Sequence, residues 1–332
     1  MKIAYILESL EPGGGVKVLI EHAAGLAARG HDVSLVTKGG RTDWMDLPVP
    51  VVEVPRLDET TLPEADVHIA TWFPTVVPAV KAARARRVFH FCQGYEASHP
   101  HLRSRAAEIE DAYRQPIPKL VISRHLLRDI GHFPGAKHVL GQALPAASYA
   151  PRGPEPEGPR TPATIGVVGP FLSEKKGIGV ALRAVERLAS RGREVRLLRA
   201  SHMPLDEGER RLFPPYEYSH LIPAGSMPAW YHRLDLLLHP SYDAEGFPLP
   251  PLEAMASGVP VVLTDIPSFE PLPHGSVARV PEGDDAAMAL EAARLLEDPA
   301  LWLSRRRRGL EVAATFRLEP VLDELERILA GA

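Results

Sequence analysis

Short apolar segments that alternate with helical patterns constrain the fold of this 332-residue chain more than any other feature. Lys2–Leu7 is an apolar run, Val16–Arg29 has apolar residues at helical spacing, and Asp32–Thr37 is a second apolar run. Strands that are buried on both faces and joined by helices form parallel, doubly wound sheets. The pattern therefore predicts an α/β protein built on Rossmann-like sheets.

The same alternation continues along the rest of the chain. Further strands are predicted at Val49–Val54, Asp66–Thr71, Arg87–Phe91, Leu120–Ser123, Ala163–Gly169, Glu194–Arg199, Asp235–His239 and Val259–Leu263. Further helices are predicted at Val76–Ala85, Ser104–Tyr113, Arg124–Gly131, Gly177–Arg191, Met227–Arg233, Leu249–Ala256, Asp284–Glu297, Pro299–Thr315 and Glu319–Leu329.

A proline-rich stretch from Pro145 to Pro162 interrupts this rhythm. It predicts an N-terminal domain over 1–145, a linker over 146–162 and a C-terminal domain over 163–315. A last helix over 316–332 is expected, and we consider that it packs back on the N-terminal domain. Ligands of such sheets bind beyond the carboxyl ends of the strands, so we expect two domains that face a central cleft holding the active site.

Composition narrows the class of protein. The net charge of −4 at pH 7 argues against a nucleic-acid partner, and the single cysteine, Cys92, excludes an intrachain disulfide. The chain has no run of about 18 apolar residues, and its first strand is too short for a signal peptide, so a cytoplasmic protein is expected. Arg305–Arg308 is interpreted as a solvated helix surface. The alternatives are a membrane-surface role, with peripheral association at the inner face of the membrane, and a role in binding an acidic partner.

The segment Glu245–Glu253 places two carboxylates around a glycine-led turn and a helix start. A helix N-terminus can hold a phosphate, whereas carboxylates repel phosphate and are suited to accept hydrogen bonds from sugar hydroxyls. Taken singly, Glu245 reads as a loop acid and Glu253 as a first-turn acid that complements the helix dipole. Taken together, they indicate a nucleotide-sugar site.

Two loops between a strand and a helix supply further candidates. Gly13, Gly14 and Gly15 do not fit the dinucleotide fingerprint, because Val18 stands where its last glycine belongs. We interpret them as a loop that lets the backbone approach a ligand, with a plain tight turn as the alternative. Lys176 precedes a predicted helix and can pair with phosphate, although solvated lysines are common in such turns.

His90 lies near the carboxyl end of a predicted strand, where this fold carries chemistry, and a packed histidine is the alternative. The fourteen histidines of the chain show no set with metal-ligand spacing. No cofactor and no metal are therefore expected.

Residues Leu238–Val262 resemble the E-x7-E signature of glycosyltransferase family 4, whose members are retaining enzymes of the GT-B fold. Gly13–Val16 followed by Leu26–Val33 is similar to the N-terminal glycine turn and strand entry of that family. Val168–Gly177 is similar to its diphosphate segment. The resemblance covers most of the chain and implies an N-terminal acceptor domain and a C-terminal donor domain.

The resemblance also implies roles for individual residues. Glu245 would contact the donor sugar near the reacting carbon, and His90 would lie near the donor sugar and the acceptor. The residues that would bind the donor are Gly14, Gly15, Lys176, Gly246, Phe247, Pro248, Leu249 and Glu253. Family members usually need no metal, because positive side chains and helix dipoles stabilise the leaving diphosphate.

Two prolines depart from the family pattern. Pro170 stands where the family commonly has an arginine, so one cation is missing from the diphosphate site. Pro248 has no N–H to donate to phosphate.

The sequence thus predicts a metal-independent, retaining glycosyltransferase of glycan, polysaccharide or glycolipid biosynthesis. It would move a sugar from a nucleoside-diphosphate sugar to a sugar, lipid-linked or small-molecule acceptor. Two alternatives stay open. One is a related hydrolase, epimerase or phosphorylase, and the other is a non-catalytic nucleotide-sugar-binding protein.

Overall fold

A computed structural model describes residues 1–151, 153–243 and 245–331. Within these ranges, Ala146 is described by its backbone alone. Arg152 of the predicted linker, Ala244 of the signature segment and Ala332 at the end of the predicted last helix lie outside the described residues.

The strands of the described residues form two sheets. Those of the first sheet are β1 Lys2–Leu7, β2 Asp32–Thr37, β3 Val51–Glu53, β4 Ala65–Ala70, β5 Ala85–Cys92, β6 Lys119–Val121 and β7 Lys137–Val139. Those of the second sheet are β8 Ala163–Val168, β9 Val195–Ser201, β10 Glu217–His220, β11 Leu236–His239, β12 Val261–Thr264 and β13 Ala278–Val280.

Helices follow most of the strands. They are α1 Gly14–Ala28, α2 Phe73–Ala82, α3 Ala106–Arg114, α4 Leu127–Ile130, α5 Ala146–Tyr149, α6 Ile178–Ser190, α7 Glu207–Leu212, α8 Met227–Tyr231, α9 Leu249–Ala256, α10 Asp285–Glu297, α11 Pro299–Ala313 and α12 Leu318–Ala330. Short 3-10 helices cover Glu96–Ser98, Pro100–Arg105, Arg124–Leu126, Glu174–Lys176, Ala224–Ser226 and Pro267–Phe269.

Both sheets have the strand order of a doubly wound fold. The first runs β3-β2-β1-β4-β5-β6-β7 and the second β10-β9-β8-β11-β12-β13, and the paired strands are parallel. The strand order reverses between β1 and β4 in the first sheet and between β8 and β11 in the second. Such a switch point opens a crevice for a ligand at the carboxyl ends of the strands. The predicted fold class of two parallel-sheet α/β domains is confirmed.

The chain divides into two compact units. The N-terminal unit comprises Met1–Ala143 with Leu318–Ala332, and the C-terminal unit comprises Leu144–Arg317. The proline-rich segment 146–162 groups with the C-terminal unit. The predicted domain limits at 145, 162 and 315 stay predictions.

The last helix, α12, belongs to the N-terminal unit. Leu322 packs so closely on Gly25 of α1 that a Cβ at this glycine would overlap its side chain. Glu326 pairs with Arg29, and its Oε1 lies 2.7 Å from His31 Nε2. These contacts join the end of the chain to the first helix.

The arginine run on α11 is not a uniform solvated surface. Arg306 is 8% exposed and donates to the carbonyl oxygen of Gly258, and Arg307 donates to Glu155 at 2.7 Å. Gly258 has a φ of +72° and no room for a Cβ beside the guanidinium. The expectation of four solvated side chains is therefore wrong for Arg306, which fixes the end of α9.

Candidate functional site

The switch point of the second sheet carries the residues with the strongest chemical signal. The turn after β8 leads to Lys176, and the loop after β11 leads to Glu245. Because β8 and β11 are neighbours, with Leu236 paired to Ile165, these two loops leave the sheet side by side. Residues 69 positions apart in the sequence are thereby brought into contact.

Lys176 and Glu245 form an ion pair, with Nζ 2.8 Å from Oε1. The Glu245 side chain is 7% exposed and that of Lys176 is 20% exposed, so the pair is largely withdrawn from water. Burial raises the pKa of Glu245, but the positive charges of Lys176 and Lys175 outweigh that effect and the pKa is lowered overall. The carboxylate is thus held ionised beside a lysine.

Backbone contacts lock the two loops together. Tyr242 N donates to Lys175 O at 2.9 Å. Gly177 has a φ of +58°, and a Cβ there would overlap the carbonyl oxygen of Pro240. This close approach requires glycine and holds Lys176 against the loop that bears Glu245.

The start of α9 offers few donors for an anion. Pro248 is the residue before the helix, and Pro250 and Pro251 occupy its first turn together with Leu249. Proline has no N–H, so of the three first helical residues only Leu249 can donate one. Phe247 packs on Phe269 and Phe316, with ring centroids 6.4 Å and 5.7 Å apart. This backbone therefore offers a phosphate fewer N–H donors than a helix N-terminus usually does.

Glu253 is bound by two tyrosines. Tyr149 Oη donates to Oε1 at 2.8 Å and Tyr231 Oη donates to Oε2 at 2.9 Å. All three side chains are buried, and His232 Nε2 lies 3.1 Å from Tyr149 O. Tyr149 comes from the segment predicted as a linker, so sequence reasoning missed its contact with the signature.

The turn around Pro170 is reached by another arginine. Arg199 of β9 donates through Nη2 to Gly169 O at 2.8 Å and is paired with Glu209. Both partners are fully buried, so Arg199 does not offer an uncompensated charge to a ligand. Arg199 therefore does not supply the cation that the family resemblance implies at position 170.

His239 was not among the residues singled out from the sequence. It ends β11, is 1% exposed, and its Nε2 lies 2.9 Å from Ser241 Oγ. Burial, followed by the charge of Lys176, lowers its pKa to about 3, whereas Glu245 acts in the opposite direction. A neutral histidine therefore lies behind the lysine–glutamate pair. Its place directly after a buried strand was the available signal.

The glycine loop of the N-terminal unit follows β1. Gly14 and Gly15 are exposed at the start of α1, and Gln93 Nε2 donates to Gly15 O at 3.1 Å. Gln93 lies just beyond the carboxyl end of β5, so it shares this edge of the sheet with the glycines. Sequence reasoning emphasised His90, whereas Gln93 is the side chain that contacts the loop.

His90 is fully buried within β5. Its ring packs edge-on against Tyr113 with centroids 4.7 Å apart, and neither ring nitrogen has a hydrogen-bond partner among the described residues. Burial, together with the charge of Lys119, lowers its pKa to about 3. In this arrangement His90 is a neutral packed histidine, so the proposed contact with sugar would need the ring to move.

The described residues provide neither a cluster of metal ligands nor a membrane-spanning helix. In residues 1–151, 153–243 and 245–331, no group of three or more His, Cys, Asp or Glu side chains is placed to hold a metal ion. Within the same ranges, no helix is long and apolar enough to cross a membrane.

Part of the chain is similar to a known protein family. Residues 162–298 match the family model described as Glycosyl transferases group 1. The lipopolysaccharide core biosynthesis mannosyltransferase LpsB of Rhizobium meliloti is 42% identical over 76 residues, which are 22% of this chain and 21% of LpsB. The phosphatidyl-myo-inositol mannosyltransferase of Mycobacterium leprae is 27% identical over 51% of this chain and 47% of its own length. The chain spans less than half the length of the curated relatives it matches.

Solved structures match over the whole chain. Sucrose-phosphate synthase from Thermosynechococcus elongatus has a TM-score of 0.77 at 17% identity and covers 99% of this chain and 98% of its own. HepE of Anabaena, solved with UDP-glucose, has a TM-score of 0.79 at 16% identity and covers 100% of both chains. The fold of this chain is that of GT-B glycosyltransferase structures, and its residues 162–298 match the family model of the group 1 glycosyl transferases.

Proposed function

We propose that this protein is a retaining, metal-independent glycosyltransferase of family 4 that uses a nucleoside-diphosphate sugar. The observation that carries the proposal is the buried contact between Lys176 and Glu245 at the switch point of the second sheet. One residue offers a positive charge to a diphosphate and the other offers carboxylate oxygens to sugar hydroxyls. A nucleoside-diphosphate sugar carries a diphosphate and sugar hydroxyls in one molecule, so it can bind both residues at once.

Donor binding would change the partner of Lys176. The lysine, which now faces Glu245 Oε1 at 2.8 Å, would pair with the diphosphate, and the carboxylate would turn to the hydroxyls of the sugar. As the sugar–phosphate bond breaks, negative charge grows on the leaving diphosphate. A fixed cation stabilises that charge more than it stabilises the ground state, which lowers the barrier.

The remaining donor contacts are proposed from the signature. Glu253 would bind the ribose, and the backbone of Gly246, Phe247, Pro248 and Leu249 would border the sugar and the diphosphate. Glu253 keeps its carboxylate oriented through two phenols, which favours a recognition role.

The roles of Gly14, Gly15 and His90 stay predictions for the N-terminal unit. Exposed glycines allow a ligand to approach their backbone, whereas the burial of His90 does not favour a direct role.

The proposed acceptor is a saccharide or a glycolipid. The curated relatives are named for lipopolysaccharide core and phosphatidyl-myo-inositol chemistry, which supports assembly of surface glycans or glycolipids. A glycolipid acceptor would bring the protein to a membrane surface.

Binding to a panel of donors tests the donor class. A ligand that binds only the native state raises the melting temperature, so UDP-, GDP-, ADP- and dTDP-sugars are compared by thermal shift with and without EDTA. We expect stabilisation by one of these donors that EDTA leaves unchanged. Stabilisation by none of the four would refute the donor class, and loss of the effect in EDTA would refute metal independence.

Two variants test the assigned residues. Glu245→Gln should reduce transfer by at least about 100-fold, in the range seen when a group that stabilises the transition state is removed. Lys176→Met should weaken donor binding by about 10- to 150-fold, which corresponds to the loss of a charged hydrogen bond of about 1.5–3 kcal/mol. Glu155→Gln, which removes a surface partner of Arg307 in the same unit, is the matched control and should leave both quantities unchanged.

A non-catalytic nucleotide-sugar-binding protein is the second candidate. The prolines at the start of α9 and Pro170 weaken the diphosphate site, which is the observation that favours it. Calorimetry that shows donor binding, combined with mass spectrometry that shows no product with any added acceptor, would support this candidate over the transferase.

A further inference from the structure

An arginine and a glutamate are sealed inside the C-terminal unit behind the turn that carries Lys176. Arg199 of β9 and Glu209 of α7 are each 0% exposed and pair through Nε and Oε1. Withdrawing two charges from water carries a penalty that their mutual attraction often fails to offset. A role other than added stability is therefore needed to explain the pair.

The guanidinium directs most of its donors to the end of β8 and the start of the turn rather than to Glu209. Nη1 donates to Val167 O at 2.6 Å and Nη2 donates to Gly169 O at 2.8 Å. An arginine that only neutralised a carboxylate would usually present two parallel N–H groups to it. Here Oε2 of Glu209 has no hydrogen-bond partner in the described part of the chain. The guanidinium thus satisfies two backbone carbonyls, whereas one carboxylate oxygen of Glu209 has no hydrogen bond within the described residues.

Gly169 links this arginine to the lysine. Its N–H donates to Ala200 O at 2.9 Å and its carbonyl accepts from Arg199, so both backbone groups are tied to β9. Its φ is +125°, and a Cβ there would lie 3.5 Å from Cγ and Cδ of Lys176. The stem of the lysine therefore passes over Gly169 before its ammonium group reaches Glu245.

We propose that Arg199, balanced by Glu209, is a positioning residue that holds the β8–α6 turn where Lys176 meets the donor diphosphate. The inference rests on the proposed function, since the ligand of the turn is the proposed donor. Arg199 acts through Gly169 and the lysine stem, because its own guanidinium is fully buried.

The double variant Arg199→Met with Glu209→Leu tests this role. Replacing a buried ion pair by apolar residues of similar size is often neutral or stabilising, but Arg199→Met also removes the donor to the Val167 and Gly169 carbonyls. The fold should therefore persist with a melting temperature somewhat below that of the native protein. We expect faster hydrogen–deuterium exchange in peptides covering 169–176. The donor KM should rise about tenfold with less than a threefold change in kcat. The control double variant, Arg233→Met with Glu217→Leu, removes another ion pair of the same unit. It should change neither the exchange of peptides covering 169–176 nor the donor KM.

Native exchange at the turn and a native donor KM in a folded double variant would overturn the inference. If the double variant does not fold, Arg199→Lys keeps the charge but cannot reach both carbonyls. A raised donor KM and faster exchange at the turn in that variant would support the inference, and native values would overturn it. UDP-glucose, GDP-mannose, ADP-glucose and dTDP-glucose serve as donor probes. If the native protein binds none of them, the proposed function fails, and the exchange measurement still tests the hold on the turn.

Discussion

Replacing Lys176 by methionine isolates the charge of the lysine, because methionine keeps much of the side-chain volume. In the native protein, burial raises the pKa of Glu245 and the charges of Lys176 and Lys175 outweigh it, so the pKa lies below its ordinary value of 4.5. In the variant the largest opposing charge is gone. We therefore expect burial to prevail and the pKa of Glu245 to rise above 4.5.

The two proteins should then depend on pH with opposite signs. The stability that the native carboxyl contributes is present above pH 4.5 and is lost as the pH falls through the lower folded pKa. In the variant the folded pKa is the higher one, so stability falls as the pH rises from 4.5 toward it, by about 1.4 kcal/mol per unit of pKa difference.

The loss of stability in Lys176→Met near neutral pH follows from the burial of the Lys176–Glu245 ion pair. Removing one partner of a buried ion pair costs about 3–5 kcal/mol. We expect the lower end, about 3 kcal/mol, because the Lys176 side chain is 20% exposed. For the C-terminal unit, Leu144–Arg317, a loss of about 3 kcal/mol corresponds to a drop in melting temperature of roughly 6–12 °C.

Thermal melts at pH 5 and pH 8 measure the effect as a difference from the native protein. Lys38→Met removes the surface partner of Glu8, where the two side chains are 41% and 39% exposed, and should cost no more than about 1 kcal/mol at either pH. A Lys176→Met protein that melts like the native one at pH 8, or that loses more stability at pH 5 than at pH 8, would refute the reasoning.

Three further substitutions have defined outcomes. Tyr231→Phe removes a phenol that donates to buried Glu253 and should lower the free energy of unfolding by about 1.5–3 kcal/mol in urea titration; an unchanged midpoint would contradict the assigned hydrogen bond. Gly258→Ala places a Cβ at φ +72° against Arg306 and should cost at least about 2 kcal/mol in the same assay, whereas a cost below about 0.5 kcal/mol would contradict the packing. His90→Leu removes a histidine whose pKa is lowered to about 3, so stability that the native protein loses as the pH falls below 6.5 should be retained, by about 1.4 kcal/mol per pH unit. Loss of transfer in a fully folded His90→Leu protein would instead support its predicted catalytic role.

The fold class was predictable because apolar strand patterns and amphipathic helix patterns alternate along the sequence. Two short edge strands were not predictable. Glu217–His220 and Lys137–Val139 are only partly buried edge strands of four and three residues, so they lack the apolar run that marks a central strand. Tertiary pairing, rather than local pattern, makes them strands.

The candidate site was predictable only in part. The signature identified Glu245 and the Val168–Gly177 segment identified Lys176, but their contact depends on β8 lying beside β11, which no local pattern specifies. Tyr149 was missed because its proline-rich surroundings indicate a linker, although the side chain is buried against Glu253. Arg199 did carry a signal, since a charged residue inside an apolar strand requires a partner.

Mass spectrometry of sugar transfer tests the central claim most directly. The native protein and Glu245→Gln are incubated with the donor that stabilises the native fold and with a set of saccharide and glycolipid acceptors. We predict a glycosylated acceptor with the native protein, an anomeric configuration retained from the donor by NMR, and at least about 100-fold less product with the variant. Equal product from both proteins, or free sugar in place of a glycosylated acceptor, would contradict the proposed function.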